Sequence, residues 1–391
     1  DLMGFGDPKN APVLDLIHPD KNIGYGRIAY LDFEVSADGL AEMAKKAFNC
    51  KGVKYCDGGK SIKSVALSSG AGNDEVYNCI KMGIDAIITG DVKHHGFVDA
   101  RNAGVTVVDA GHYATENIIV GNGSDEVLRL ATRAFTVPGG SIATFDPSYS
   151  LYPVLAAAEE LTTRRVPLAP GFAWADPTPA DLADATLFFL TNPNAPTGVL
   201  YPRAEIKTFC ESFPGTVLID EAYADFATGP DSGSWAPYAA ASANTIVCRT
   251  LSKSHSLAGL RLGYLVGPRP LIDAVCKLKD SYNIDALAQA IALAALSDLA
   301  PMQANTERIR ATREATRAAL EARGWSVVPS QSNFLFAAPP PSAPPAAEIF
   351  QTLRDKNILV RYFPGPRTGD HLRITIGTDD QMSALLAALP A

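Results

Sequence analysis

Lys253 lies in the run Cys248-Arg-Thr-Leu-Ser-Lys253-Ser-His-Ser-Leu-Ala-Gly259-Leu-Arg261-Leu-Gly-Tyr264, just past an apolar stretch that reads as a strand. A lysine amine at a strand end, poorly solvated and near other cations, loses its proton readily and can form a Schiff base. Thr250, Ser252 and Arg261 flank it, and their hydroxyls and guanidinium fork suit a phosphate group. Taken alone, the run better describes an exposed lysine and a surface arginine.

Four other segments supply complementary chemistry. Val217-Leu-Ile-Asp220-Glu-Ala-Tyr223 ends an apolar strand on a carboxylate, which is costly to bury without a partner. A pyridinium nitrogen is such a partner, and the ion pair makes the ring a better electron sink. Tyr223 could reach a ring hydroxyl. Thr191-Asn192-Pro-Asn194-Ala-Pro-Thr-Gly198 is a tight polar turn after a buried strand, and Phe145-Asp-Pro147-Ser-Tyr149 offers an aromatic to lie on a planar ring. Gly121-Asn-Gly123-Ser124-Asp125 opens a helix whose N–H groups and dipole suit a phosphate. Together these are the parts of a pyridoxal phosphate site at the carboxyl ends of strands.

Residues 117–391 resemble histidinol-phosphate aminotransferases, fold-type-I pyridoxal phosphate enzymes of histidine biosynthesis; the Ser-Lys-x-x-x-Leu-Ala-Gly-Leu-Arg run is specific for the wider group. The resemblance implies that Lys253 carries the cofactor and shuttles a proton. It implies that Asp220 pairs with the ring nitrogen, Tyr223 and Asn194 bond the ring oxygen, and Tyr149 stacks on the ring. Ser124, Asp125, Thr250, Ser252 and Arg261 would hold the cofactor phosphate. Arg373 would bind the substrate carboxylate, with Arg361 and Asn333 near the substrate. The substrates implied are histidinol phosphate and 2-oxoglutarate or glutamate, in a cytoplasmic homodimer. Another amino-acid aminotransferase of the same fold stays open. The family's Asn-Asn-Pro-Thr-Gly turn is here Asn194-Ala195-Pro196-Thr197-Gly198, and its upstream Tyr-Pro-Asp segment has no counterpart in residues 1–116. His255 reads as structural or solvent-facing.

The first part carries other motifs: Gly24-Tyr-Gly26-Arg-Ile-Ala-Tyr, Thr89-Gly-Asp91-Val-Lys-His94-His95 and Asp109-Ala-Gly-His112-Tyr-Ala-Thr-Glu116. His112 and Glu116 are one helical turn apart and could share a divalent metal, or simply be solvated side chains. These segments resemble the C-terminal half of the Nif-three-like family, also called type-two GTP cyclohydrolase, and the resemblance implies a metal-binding hydrolase lacking its other ligands. A third possibility is a chain that folds in parts without catalysing.

Composition marks the same division. Residues 1–116 hold 10 Lys and 2 Arg, against 5 Lys and 17 Arg in residues 117–391; proline rises from 3 to 25. The switch falls at Glu116-Asn-Ile-Ile-Val120 and predicts a chimera: a Nif-three-like segment (1–116), a large cofactor domain (117–305) and a small domain (306–391). The net charge, 34 − 42 = −8, argues against a nucleic-acid or anionic-membrane partner. The apolar stretch Ile284–Leu299 is too short and polar to span a bilayer, no secretory signal opens the chain, and six cysteines without C-x-x-C spacing suggest reduced thiols.

The elements that must position these residues alternate in both parts, so the fold expected is α/β: a mostly parallel large sheet, a small C-terminal α/β domain and a foreign α/β segment in front. Strands are expected at 26–33, 64–69, 86–89 and 105–109, then at 142–145, 186–191, 217–220, 245–250 and 263–266. Helices are expected at 37–48, 73–82 and 95–103, at 125–135 with Ser124 as its cap, and at 303–323 as a link to the small domain. In the small domain, strands at 326–328, 333–336, 359–362 and 372–376 accompany helices at 346–356 and 379–388.

Overall fold

The computed structural model describes residues 27–48, 52–111 and 118–390, which divide into two compact units, Asp1–Asn117 and Ile118–Ala391. His112 and Glu116 lie outside the described residues, as do Gly24, Gly26 and Cys50.

In the first unit, five described strands form one sheet: β1 (Arg27–Val35), β2 (Lys54–Cys56), β3 (Ile62–Ala71), β4 (Ala86–Gly90) and β5 (Thr106–Asp109), in the order β1-β3-β4-β5-β2. The three inner strands run parallel, and β1 and β2 add antiparallel edges. Alternate residues of β4 serve opposite faces. Ile87 joins Val76, Cys79 and Ala100 from the helices Asn73–Met82 and His94–Ala103, while Ala86 and Ile88 join Leu40, Ala41 and Ala44 from the helix Ala37–Ala47. This is the two-sided burial that apolar parallel strands require. Buried Asp109 accepts from the N–H groups of Asp91 (3.1 Å), Val92 (3.2 Å) and Gly111 (2.8 Å), so the Thr89-Gly-Asp91 and Asp109-Ala-Gly motifs form one braced pair of loops.

The second unit holds a seven-stranded sheet: β6 (Ile118–Asn122), β7 (Ser141–Asp146), β8 (Thr162–Pro167), β9 (Ala185–Thr191), β10 (Thr216–Asp220), β11 (Thr245–Thr250) and β12 (Leu262–Val266), ordered β6-β12-β11-β10-β9-β7-β8. Strands β7 to β11 pair in parallel and β12 is antiparallel to both β11 and β6, so the sheet is mostly parallel, as expected, with a mixed edge. Val217, Leu218 and Ile219 of central β10 are fully buried, each contributing about 1.5–3 kcal/mol of apolar transfer. Strands β6 and β8 were not separately expected: β6 hides in the junction run, and β8, Thr-Thr-Arg-Arg-Val-Pro, is too polar to stand out.

The helix expected from Asp125 begins at Gly123, and Ser124 is not its cap. The capping residue is Asn122, which makes no side-chain cap bond; its N–H instead donates to Glu126 Oε2 at 2.5 Å. The reason is register: β6 stays paired to β12 as far as Asn122 opposite Leu262, so strand passes into helix with no loop in which Ser124 could cap. The helix expected at 303–323 spans Ala300–Glu321. It leads to an antiparallel sheet of β13 (Ser326–Val328), β14 (Phe334–Ala338), β15 (Arg361–Tyr362) and β16 (Leu372–Thr375), ordered β13-β14-β16-β15 and packed on the helices Ala346–Asp355 and Asp379–Ala388. Among the described residues, no helix is long and apolar enough to cross a membrane. Burial pushes the Cys79 and Cys210 thiols up to about 12 and about 11.

Candidate active site

The parallel register sets the carboxyl ends of β9, β10 and β11 side by side, with Asp220 opposite Thr191 on one side and Cys248 on the other. Asp220 is buried, and its carboxylate accepts from Tyr152 Oη (2.8 Å, Oδ2) and the Ala222 N–H (3.0 Å, Oδ1). Burial raises its proton affinity, opposed by the Tyr152 bond, the Ala222 bond and the charge of Lys253.

Lys253 is half-buried in the turn after β11, its Nζ 5.4 Å from the centroid of the Tyr223 ring, a cation–π distance. Tyr223 is itself buried and stands edge-on to Phe334 at 5.1 Å. Tyr149 packs edge-on to Tyr152 at 5.5 Å; burial and the nearby charges of Asp125 and Asp220 push its hydroxyl up to about 12. Asn194 is buried in its turn, its Nδ2 donating to the Pro147 carbonyl (3.2 Å) and Thr197 Oγ1 (2.9 Å), while its Oδ1 has no partner.

A second cluster forms where β12 meets β6. Arg261 adopts a left-handed backbone (φ 56°), its carbonyl accepts from the Gly123 N–H at 2.8 Å, and its Nη2 lies 3.3 Å from Asp125 Oδ2. Thr250 Oγ1 lies 2.9 Å from Ser252 Oγ and accepts from the Ser252 N–H at 3.1 Å. The space is kept by glycines: a Cβ on Gly263 would stand 2.4 Å from the Ser124 nitrogen, and one on Gly123 2.4 Å from Arg261 Nη2. Ser124, Asp125 and Arg261 thus form a cup at a helix N-terminus, suited to an anion, and Thr250 Oγ1 donates to the carbonyl of the adjoining Leu262 at 3.1 Å.

Arg373 on β16 is half-buried, its guanidinium 5.0 Å from the Phe334 ring and 5.3 Å from the Phe363 ring, and its Nε is buried without a partner. Burial, with Arg361 nearby, lowers its proton affinity, while Tyr223 and Tyr149 raise it. Arg361 is exposed, 5.7 Å from the Phe363 ring. For Asn333, the contact seen is its carbonyl accepting from the Ile376 N–H at 2.9 Å. His255 is half-buried, with Nδ1 3.1 Å from Ser254 Oγ and a buried, unpartnered Nε2; burial depresses its basicity.

Several residues outside the expected set complete the frame. Asp225 binds Arg249 and accepts from Ser254 Oγ at 2.5 Å, bracing the turn that carries Lys253. Arg310 donates to the Asp225 carbonyl (2.7 Å) and Arg313 to the Ser332 carbonyl (2.8 Å), with the Phe226 carbonyl within 3.3 Å of Arg310 and 3.5 Å of Arg313. The helix Ala300–Glu321 therefore ties the segment after Tyr223 to the segment before Asn333. Tyr152 and Thr191 were legible only as an aromatic and a strand end.

These residues fit pyridoxal phosphate: a buried carboxylate with spare lone pairs, an unmatched acceptor on Asn194, and a glycine-lined cup beside Arg261. The described residues contain no cluster of three or more His, Cys, Asp or Glu able to hold a metal ion.

Comparison with known proteins gives two families. Residues 8–137 match the Duf34/NIF3 family (NGG1p interacting factor 3), and residues 94–389 match the family Aminotransferase class I and II. The chain is 40% identical over 272 residues to a Synechocystis histidinol-phosphate aminotransferase, covering 70% of this chain and 76% of that protein. It is 44% identical over 282 residues to the Chromohalobacter salexigens protein of the same name, covering 71% and 78%. Among solved structures, histidinol-phosphate aminotransferase from Sinorhizobium meliloti in complex with pyridoxal-5'-phosphate superposes with a TM-score of 0.65 at 26% identity, covering 74% of this chain and 78% of that one. Its fold is therefore that of the pyridoxal phosphate aminotransferases, and this chain belongs to the class I and II aminotransferase family.

Proposed function

We propose that this chain is a pyridoxal phosphate-dependent aminotransferase that moves an amino group between histidinol phosphate and 2-oxoglutarate. The observation that carries the proposal is the convergence of Lys253, Asp220, Tyr223 and Asn194 at adjacent strand ends, one sheet edge from the Gly123–Arg261 cup. The substrate assignment follows the names of the relatives at about 40% identity.

Bound there, pyridoxal phosphate supplies an electron sink that makes the substrate's α-proton acidic. Lys253 would hold the cofactor through Nζ, and its amine is the group placed to move the proton of the substrate carbon. Asp220 would pair, as the carboxylate, with the ring nitrogen, and Tyr223 and Asn194 would offer polar atoms to the ring oxygen. Tyr149 would lie against the ring. Ser124, Asp125, Thr250, Ser252 and Arg261 would anchor the phosphate. Arg373 would take the carboxylate of glutamate or 2-oxoglutarate, with Arg361 and Asn333 beside the substrate.

The active unit is a cytoplasmic homodimer, consistent with the exposed apolar residues Leu287, Ile291, Leu293 and Leu296 on the helix Ala286–Ser297. Residues 117–305 and 306–391 form its two lobes. Residues 1–116 are a joined Nif-three-like segment, a reading supported by two family matches that overlap at residues 94–137.

The test is the visible absorbance of the purified chain with added pyridoxal phosphate, beside Lys253→Ala. A pH-sensitive band in the parent that is absent from the variant, together with amino transfer from histidinol phosphate, supports the proposal. A folded parent without a band refutes it.

A further inference from the structure

Tyr152 is fully buried on the helix Leu151–Ala158, its ring stacked on Phe189 with centroids 4.4 Å apart and planes 8° from parallel. Packing alone would be served as well by phenylalanine, since a buried hydroxyl costs free energy unless it is paired. Here it is paired twice. Tyr152 Oη lies 2.8 Å from Asp220 Oδ2 and 2.6 Å from Thr191 Oγ1, and Thr191 Oγ1 lies 3.4 Å from Ser148 Oγ.

Counting protons fixes the direction of these bonds. An ionised carboxylate only accepts, so the single proton of Tyr152 goes to Asp220. The Tyr152 oxygen is then left to accept from Thr191, and the Thr191 oxygen to accept from Ser148. One charge orders three hydroxyls drawn from the loop after β7, the helix that follows it, and the last residue of β9. The other carboxylate oxygen receives the Ala222 N–H at 3.0 Å, so the group is held at both ends with lone pairs to spare.

We propose that Tyr152 is a positioning residue, which with Thr191 and Ser148 forms a one-way hydroxyl relay that keeps the buried Asp220 carboxylate ionised and oriented. Its catalytic meaning rests on the pyridoxal phosphate assignment above, but the relay is a property of the protein without ligand. The other groups facing Asp220 are Lys253 from the turn after β11, Asp125 from the helix Gly123–Phe135, Cys248 from β11, and Tyr149. Lys253 favours the ionised form and Asp125 opposes it, whereas Tyr152 bonds the carboxylate directly.

The experiment uses the full chain freed of cofactor. The infrared band of the Asp220 carboxyl, identified by difference against Asp220→Asn, is titrated with pH. Tyr152→Phe raises the midpoint by about 1–2 pH units, the scale of one lost bond to a buried charge. Thr191→Val raises it by less in the same direction, and Thr191→Ser, which keeps the hydroxyl, restores the parent value. A folded Tyr152→Phe with an unchanged midpoint overturns the relay. If Tyr152→Phe does not fold, equal midpoints for Thr191→Val and Thr191→Ser overturn it instead. Failure of the cofactor assignment would show separately, as a parent chain with no visible band on adding pyridoxal phosphate, and would leave this titration unaltered.

Discussion

Arg361 and Arg373 are direct cross-strand partners on the antiparallel pair β15–β16. Like charges in that position destabilise a sheet, and Arg373 bears the added cost of half-burial. Both guanidiniums also approach the ring of Phe363. A pair held against its own repulsion is what an anionic substrate needs. Arg361→Gln should therefore raise the thermal stability of the cofactor-free protein by a few tenths of a kcal/mol, roughly the cost of one like-charge pair. Arg373→Lys should raise KM for glutamate about 10- to 100-fold while changing kcat less, because a point charge replaces a planar fork between two rings. Differential scanning calorimetry and steady-state kinetics check the two in turn.

Asp220 is expected to trade stability for binding. Its proton affinity in the folded state is raised by burial. As pH climbs through the ordinary carboxylate range, the unfolded chain releases this proton first, so folding loses free energy until the folded group ionises too. The melting temperature of cofactor-free Asp220→Asn should thus exceed that of the parent at neutral pH, and the gap should close below about pH 4. Titrating pyridoxal phosphate should show the reverse order, with weaker binding by the variant. A variant less stable than the parent at pH 7 would contradict this account.

At Gly263 the constraint is space, because an added methyl would meet the backbone at Ser124 and Gly123. Gly263→Ala should cost about 1–3 kcal/mol of stability, the usual penalty for overpacking. It should also weaken pyridoxal phosphate more than unphosphorylated pyridoxal, since the displaced atoms line the phosphate cup. Equal loss for both compounds would place the damage elsewhere.

Arg313 is almost fully buried and spends its Nη1 on two carbonyls. Arg313→Met should destabilise the chain by about 2–4 kcal/mol, because the Ser332 and Phe226 carbonyls lose a charged donor. Urea unfolding of the cofactor-free protein measures it.

Much of the frame was legible because strand ends carry their own signals. Asp220 ends an apolar run, and β11 and β13 and the helices Asn73–Met82 and Asp379–Ala388 fall at their expected bounds. Tyr152 was not legible, since an aromatic three residues past Tyr149 looks like any core side chain until the pairing of β9 with β10 brings Thr191 beside Asp220. Arg313 escaped for a related reason: one arginine among many on a charged helix gives no sign that its partners are carbonyls nearly 20 and 90 residues away. Ser124 misled because a serine before an acidic helix start usually caps, and only the ladder between β6 and β12 shows the helix already under way.

The arginine clamp on the helix Ala300–Glu321 has a consequence for how this molecule can diverge. Arg310 and Arg313 grip carbonyl oxygens, which every residue possesses, so the grip itself does not depend on the side chains of Asp225, Phe226 and Ser332. The fragility is concentrated on one side of the joint. A lineage could vary the side chains on either flank and still inherit the same joint, provided that two side chains on a single helix never change.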